Sequence, residues 1–181
     1  MIKKFTASFA LAGLLIGASS YAATSSKYIG LEVGSQSYDD ISYNEDALFN
    51  LSARTLYTGE EFPFVFGIES DLAGNSDTFL VDLGLNLGGN IAINSGIDAI
   101  KLYTILGYGI QTLDFDDDYT YLGQGVYYGI GATFDYNKDF AINLNYKIHN
   151  NTINSDNNSA DGYEYDMSHL MLGVAIKFDS K

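Results

Sequence analysis

Residues 137–151 read "NKDFAINLNYKIHNN", and within them Phe140, Ile142, Leu144, Tyr146 and Ile148 alternate with Ala141, Asn143, Asn145, Lys147 and His149. Strict period-two alternation places the two sets on opposite faces of a β-strand, one apolar throughout and the other small or polar. Which of the two faces meets water decides the fold.

Outward from this stretch the same character recurs in eight segments, approximately 28–38, 47–57, 62–72, 78–88, 98–113, 120–136, 139–150 and 163–178. Each matches the ~9–11 residues that a tilted strand needs to cross a bilayer, some with extensions. No stretch shows sustained helical periodicity, and the single proline, Pro63, falls at a strand start, where a missing N–H is tolerated. The segments after strands 1, 3, 5 and 7, "DDISYNED", "GNSD", "LDFDDDY" and "NTINSDNNSADG", are mostly acidic or Asn-rich, whereas "TGEE", "GNIAINSG" and "NKD" follow strands 2, 4 and 6. An up-and-down meander gathers the first group at one end of the sheet and the second at the other.

Glycine separates the faces. Gly30, Gly34, Gly67, Gly84, Gly88, Gly107, Gly109, Gly123, Gly125, Gly129, Gly131 and Gly173 all fall opposite the apolar set, and no strand glycine falls with it. A solvated face would carry Lys, Glu and Thr in quantity, because glycine weakens an exposed strand for no gain. A cramped interior instead uses glycine to make room for inward Tyr28, Tyr38, Tyr103 and Tyr127, and eight strands enclose about the volume that side chains fill. The apolar face then points into lipid. No charge interrupts it, as expected where Lys or Arg at mid-bilayer costs ~2–4 kcal/mol. The pattern predicts an all-β, eight-stranded antiparallel up-and-down transmembrane barrel, closed because lipid cannot hydrogen-bond an open edge.

The start, "MIKKFTASFALAGLLIGASSYAA", joins Lys3 and Lys4 to an apolar run from Phe5 to Ile16 and a small-residue end at Ser20-Tyr21-Ala22. This is a secretory signal peptide over residues 1–22, leaving the barrel domain over 23–181. The run is shorter than the ~20 apolar residues of a spanning helix. Absence of cysteine excludes disulfides, thiol nucleophiles, cysteine metal ligands and a lipoprotein anchor. Without Lys3 and Lys4, seven basic residues face 23 acidic ones, a formal charge of −16 (7 − 23), which repels nucleic acid and favours cations or basic partners.

The segments "GYGIQTL…VYYGIGATFDYNKDFAINLNYKI" and "HLMLGVAIKF" resemble the glycine-rich strand, tight turn and terminal strand of the small outer-membrane β-barrel proteins of Gram-negative bacteria, the group around the OmpA transmembrane domain, OmpX and the opacity-type proteins. The resemblance implies a monomer in outer-membrane lipid and lipopolysaccharide, both termini periplasmic, four acidic loops outside, and a terminal strand Leu170–Phe178 read by the barrel-assembly machinery. In that group the aromatic is usually the last residue, whereas Asp179, Ser180 and Lys181 follow Phe178 here. No further domain for a cell-wall tether is expected. The implied role is structural or interactive, holding the envelope and contacting ligands or surfaces through the loops, with a narrow, weakly cation-selective porin-like channel as the alternative.

Candidate chemistry lies inside the barrel. Arg54, the sole arginine, faces inward by parity, as do Glu32, Glu69, Asp82, Lys101 and Lys147. A first hairpin centred on Tyr43 places Glu32 opposite Arg54, and a centre between residues 91 and 92 pairs Asp82 with Lys101. Buried charges need partners, so interior ion pairs are expected in place of a wide channel. Asp114, Asp116 and Asp118 take the first three ligand positions of an EF-hand-like loop, but Tyr119 stands where the turn glycine belongs and Gly125 where the bidentate glutamate belongs. With Asp39, Asp40, Glu45 and Asp46 they form an acidic rim able to hold divalent cations loosely. A lipid A-modifying enzyme is the rival class, since some eight-stranded barrels are deacylases or acyltransferases. It needs a hydroxyl nucleophile beside a base. His149 and His169 both face inward, Ser168 faces the other way, and Asn150 and Asn151 stand where a His-x-Ser pattern would continue. No enzyme activity and no cofactor are expected.

Overall fold

The computed structural model describes residues 23–39, 47–59, 63–92, 99–116, 119–154 and 162–180. These form β1 (Ala23–Asp39), β2 (Ala47–Gly59), β3 (Phe64–Gly74), β4 (Thr78–Ala92), β5 (Ala99–Asp116), β6 (Tyr119–Asp135), β7 (Phe140–Asn154) and β8 (Glu164–Ser180). Consecutive strands pair antiparallel, and β1 pairs with β8 from Ser25 opposite Ser180 to Asp39 opposite Asp166. The sheet is therefore a closed barrel without a free edge, the arrangement that satisfies every strand's backbone in lipid. The expected signal peptide over 1–22 lies outside the described residues.

Alternation is visible directly in β2, where Leu48, Asn50, Ser52 and Arg54 are buried and Phe49, Leu51 and Ala53 exposed. The exposed apolar side chains, among them Leu31, Phe49, Ile130 and Val174, form the outer belt. Aromatic residues gather at the end that holds Ala23 and Ser180: Tyr57, Phe64, Phe66, Tyr136, Phe140 and Phe178, with Tyr57 stacked on Phe66 at 4.8 Å between ring centroids. Such girdles sit where hydrocarbon gives way to headgroups. Toward the other end the outward face turns polar through Ser35, Ser37 and Asp39 on β1 and Ser168, Asp166 and Glu164 on β8. There the wall continues past the apolar belt, with Asn150 donating to Asp166 at 2.7 Å on the outer surface.

The strands run longer than the sequence spacing predicts. β4 continues through Gly89–Ala92 and β7 through Asn151–Asn154, residues expected in connections. Two tight connections close through an asparagine side chain: Asn75 Oδ1 accepts the backbone N–H groups of Asp77 and Thr78, and Asn137 Oδ1 those of Asp139 and Phe140. Pro63 lies just before β3, with its carbonyl accepting from Asn90 N–H at 2.8 Å.

Asp114 and Asp116, from the stretch expected to wrap a cation, belong to the end of β5. Asp114 faces Thr120 and Asp116 faces Tyr119 across an irregularity in the β5–β6 ladder, and Leu113 already faces Tyr121. Asp114 and Asp116 thus lie on paired strand backbone, whereas a ligand-wrapping loop of the EF-hand kind turns at those positions. Asp118 itself lies outside the described residues, as do Asp40, Glu45 and Asp46.

Inside, Gly84 and Gly107 leave the space that the Tyr127 ring occupies; a methyl group at either position would collide with that ring. Gly131 does the same for Tyr103 and Gly123 for Tyr165. Two apolar layers cap the lumen: Tyr28, Leu56, Val65, Tyr103, Ile105 and Tyr127 toward the termini, and Leu48, Leu80, Leu113, Ile153, Tyr165, Met167 and Met171 toward the other end. Between them lies a polar layer.

Candidate functional site: the charged barrel interior

The polar layer is built from side chains that the inward parity of six strands brings to one level. Arg54 on β2 sits directly opposite Glu69 on β3, and its Nη2 lies 3.2 Å from Glu69 Oε2. From β7, diametrically across the eight-stranded ring from β3, Lys147 reaches over the lumen and places Nζ 2.6 Å from Glu69 Oε1 and 2.5 Å from Asp71 Oδ2. Its third carboxylate, Asp82 Oδ2 on β4, is 3.5 Å away. The ammonium also lies 4.7 Å above the Tyr127 ring and the Arg54 guanidinium 5.2 Å above that of Tyr103, so both cations are enclosed by anions and aromatic faces.

Glu32 is held differently. It accepts from Asn50, Ser52, Asn143 and Asn145, a neutral cage that spreads its charge over β1, β2 and β7. Toward the termini, Asp135 joins Lys101 at 2.5 Å and Lys177 at 3.1 Å, and accepts from Tyr28 at 3.0 Å. Toward the opposite end, Gln111 donates to Tyr38 and accepts from Asn151 and Tyr165. The lumen is thus cross-linked at three levels.

All six residues expected to carry interior charge, Glu32, Arg54, Glu69, Asp82, Lys101 and Lys147, are buried inside the barrel. The two specific pairings expected from hairpin centres are not formed. Glu32 faces Asn50 and Arg54 faces Tyr28, because the first hairpin centres on Ile41 (Ser35 opposite Ala47), two residues before Tyr43. Asp82 faces Gly109 and Lys101 faces Asn90, because β4 and β5 run further before they turn. Asp71, Asp135 and Lys177 complete the network. Their parity was readable, since Asp71 is two residues from Glu69 and Lys177 two from Ala175, and β6 reaches Asp135 at the inward place after Thr133.

His149 and His169 do not face each other across the β7–β8 ladder, where their partners are Met167 and Lys147. They meet diagonally, with ring centroids 5.0 Å apart, and His149 stacks on Tyr127 at 4.9 Å. Both are buried and Ser168 points outward, so its hydroxyl does not share the interior with the imidazoles.

The chain matches the family described as outer membrane protein beta-barrel domain over residues 8–178. No curated protein matches it in sequence. Among solved structures it is similar to Ail, the attachment invasion locus protein of Yersinia pestis, at 18% identity and TM-score 0.51, covering 87% of this chain and 100% of that one. It is also similar to Neisserial surface protein A, at 16% identity and TM-score 0.50, with 87% and 100% covered. At these identities the likeness speaks for the fold, a closed barrel. The family match spans all eight strands as far as Phe178, and the chain therefore belongs to the outer membrane protein beta-barrel domain family, with its place in the bacterial outer membrane.

Proposed function

We propose that this protein is a closed structural barrel that anchors an acidic surface in the outer membrane and conducts no solute through its centre. The observation that carries this reading is Lys147 bridging the full width of the lumen to Glu69 and Asp71, with apolar layers above and below it. A hydrated path would have to strip those carboxylates from a desolvated ammonium. Breaking a buried pair on one side costs about 3–5 kcal/mol.

The connections after β1, β3, β5 and β7, residues 40–46, 75–77, 117–118 and 155–163, contain Asp and Glu but no Lys or Arg. With both termini periplasmic, after removal of residues 1–22, that end faces outside. Its charge suits basic ligands or divalent cations that bridge to lipopolysaccharide. Ail was solved in complex with the heparin analogue sucrose octasulfate. An acidic rim disfavours such a polyanion, so the expected behaviour is binding to immobilised polylysine, released by salt, and none to heparin; heparin binding would overturn the charge argument. The terminal strand Leu170–Phe178 is the segment offered to the assembly machinery.

A narrow cation-selective channel is the second reading, favoured by one feature: Lys147 lies within 3.5 Å of three carboxylates and can exchange partners without leaving the anionic cluster. Conductance separates the two. The mature chain folded in detergent should migrate as a heat-modifiable band and add no current to a planar bilayer, whereas discrete cation-selective steps would establish the channel.

A further inference from the structure

In the mid-lumen layer Glu32, Glu69, Asp71 and Asp82 stand against Arg54 and Lys147, four carboxylates to two bases. Glu69 and Asp71 are matched by the two cations, and Glu32 by its amide cage. Asp82 differs. Neither of its oxygens makes a hydrogen bond among the described residues, and its nearest charged neighbour, Lys147, is 3.5 Å away and already bonded to Asp71. The same is true of both ring nitrogens of His149 and of Nδ1 of His169. Asp82, His149 and His169 are 0%, 0% and 4% exposed, so water does not serve them from the surface. Buried polar atoms left in this way carry their full desolvation penalty, which is largest when they are charged.

These atoms converge. One ligand atom from each of the three residues lies within 4.8 Å of the other two, and His149 Nε2 is 3.5 Å from Asp82 Oδ2. Zinc bonds of ~2.0–2.1 Å in a tetrahedral set hold ligand atoms about 3.3 Å apart, so Asp82 Oδ2 and His149 Nε2 are already spaced for a shared ion, and the third ligand atom lies within 4.8 Å. Gly109 on β5 keeps one side open. A Cβ there would stand 2.5 Å from Asp82 Oδ1 and 3.2 Å from His149 Nδ1.

We propose that Asp82, His149 and His169 form a divalent-metal site inside the barrel, holding zinc or a similar borderline cation and tying β4, β7 and β8 together from within. Two imidazoles and one carboxylate select such a cation over magnesium or calcium, which prefer all-oxygen sets. The ion also offsets the two surplus negative charges of the layer. Because the site is sealed by the apolar layers, the metal enters as the barrel folds and leaves only when it opens.

The test is to fold the mature chain from urea into detergent with zinc sulfate present, remove excess metal, expose the folded protein to EDTA and count retained zinc by mass spectrometry. About one zinc per barrel is expected to survive EDTA, with cobalt giving the visible absorption of a tetrahedral nitrogen and oxygen site. The His149→Gln/His169→Gln variant, checked for folding by heat-modifiable mobility, should retain at least tenfold less. Zinc stripped at once from the folded wild type places it in the acidic rim and overturns the proposal. So does a folded wild type that takes up none, in which case a proton shared between Asp82 and an imidazole discharges the cluster, or a folded double variant that retains as much. Should that variant not fold, Asp82→Asn, nearly isosteric, takes its place with the same expectation.

Discussion

At the scale of single residues the interior works through groups that cannot be exchanged one at a time. Lys147 serves two carboxylates on the far wall. Lys147→Met should destabilise the barrel by about 3–5 kcal/mol, because Glu69 and Asp71 then keep buried charge with Arg54 as their nearest base. Urea titration followed by heat-modifiable mobility reads the loss, and adding Asp71→Asn should recover part of it; an unchanged midpoint for the single variant would show that the pair contributes nothing net. The glycines are equally local. Gly84→Ala drives its methyl group into the Tyr127 phenol and should cost about 1–3 kcal/mol. Tyr127→Leu in the same chain should relieve the clash, whereas an additive loss in the double variant would mean that glycine acts there through the backbone.

At the scale of the strand the outer face is interpreted by lipid. Leu31 lies in the middle of β1, fully on the outer belt at 68% exposure, while Ser35 and Ser37 on the same face lie nearer the acidic end. Leu31→Arg should therefore cost about 2–4 kcal/mol and Ser37→Arg about 0–1, a depth dependence measurable as paired urea midpoints in lipid vesicles. Equal penalties would mean that the bilayer midplane does not cross β1 at Leu31. Strand length matters for the same reason. β5 and β6 run 18 and 17 residues, well past the ~9–11 that span hydrocarbon, so their ends form a protein-walled rim above the membrane. That rim takes up Asp114 and Asp116 of the acidic run, because both flanking segments carry period-two patterns that pair up to Asp116 and Tyr119.

At the scale of the whole molecule, charge and topology make orientation testable. The chain lacks cysteine, so single introduced thiols are clean reporters. Ser159→Cys, in the connection between β7 and β8, should react with a membrane-impermeant maleimide on intact cells, and Lys138→Cys, in the exposed turn between β6 and β7, should react only after the outer membrane is permeabilised. The reverse pattern would turn the barrel over and put the acidic rim in the periplasm. Closure also explains how an unstapled domain tolerates so polar a centre: the apolar layers at each end exclude water from the ion pairs, and the ion pairs cross-link strands that share no ladder.

The sequence by itself determined the number of strands, their up-and-down order and which face of each meets lipid. Those features follow from a period of two and from glycines that lie on its inner side along the strand centres, with Gly59, Gly74 and Gly89 at strand ends as outward exceptions, and both are local properties of the chain. Only the tertiary structure decided who meets whom inside. A ladder that slips by an even number of residues leaves every side chain on its own face, so the alternation that placed Glu32 and Arg54 in the lumen is blind to the four-residue slip that set Glu32 against Asn50 in place of Arg54. The bond from Lys147 to Asp71 joins strands on opposite walls, and its reach depends on the diameter and tilt of the closed ring, which no stretch of sequence contains.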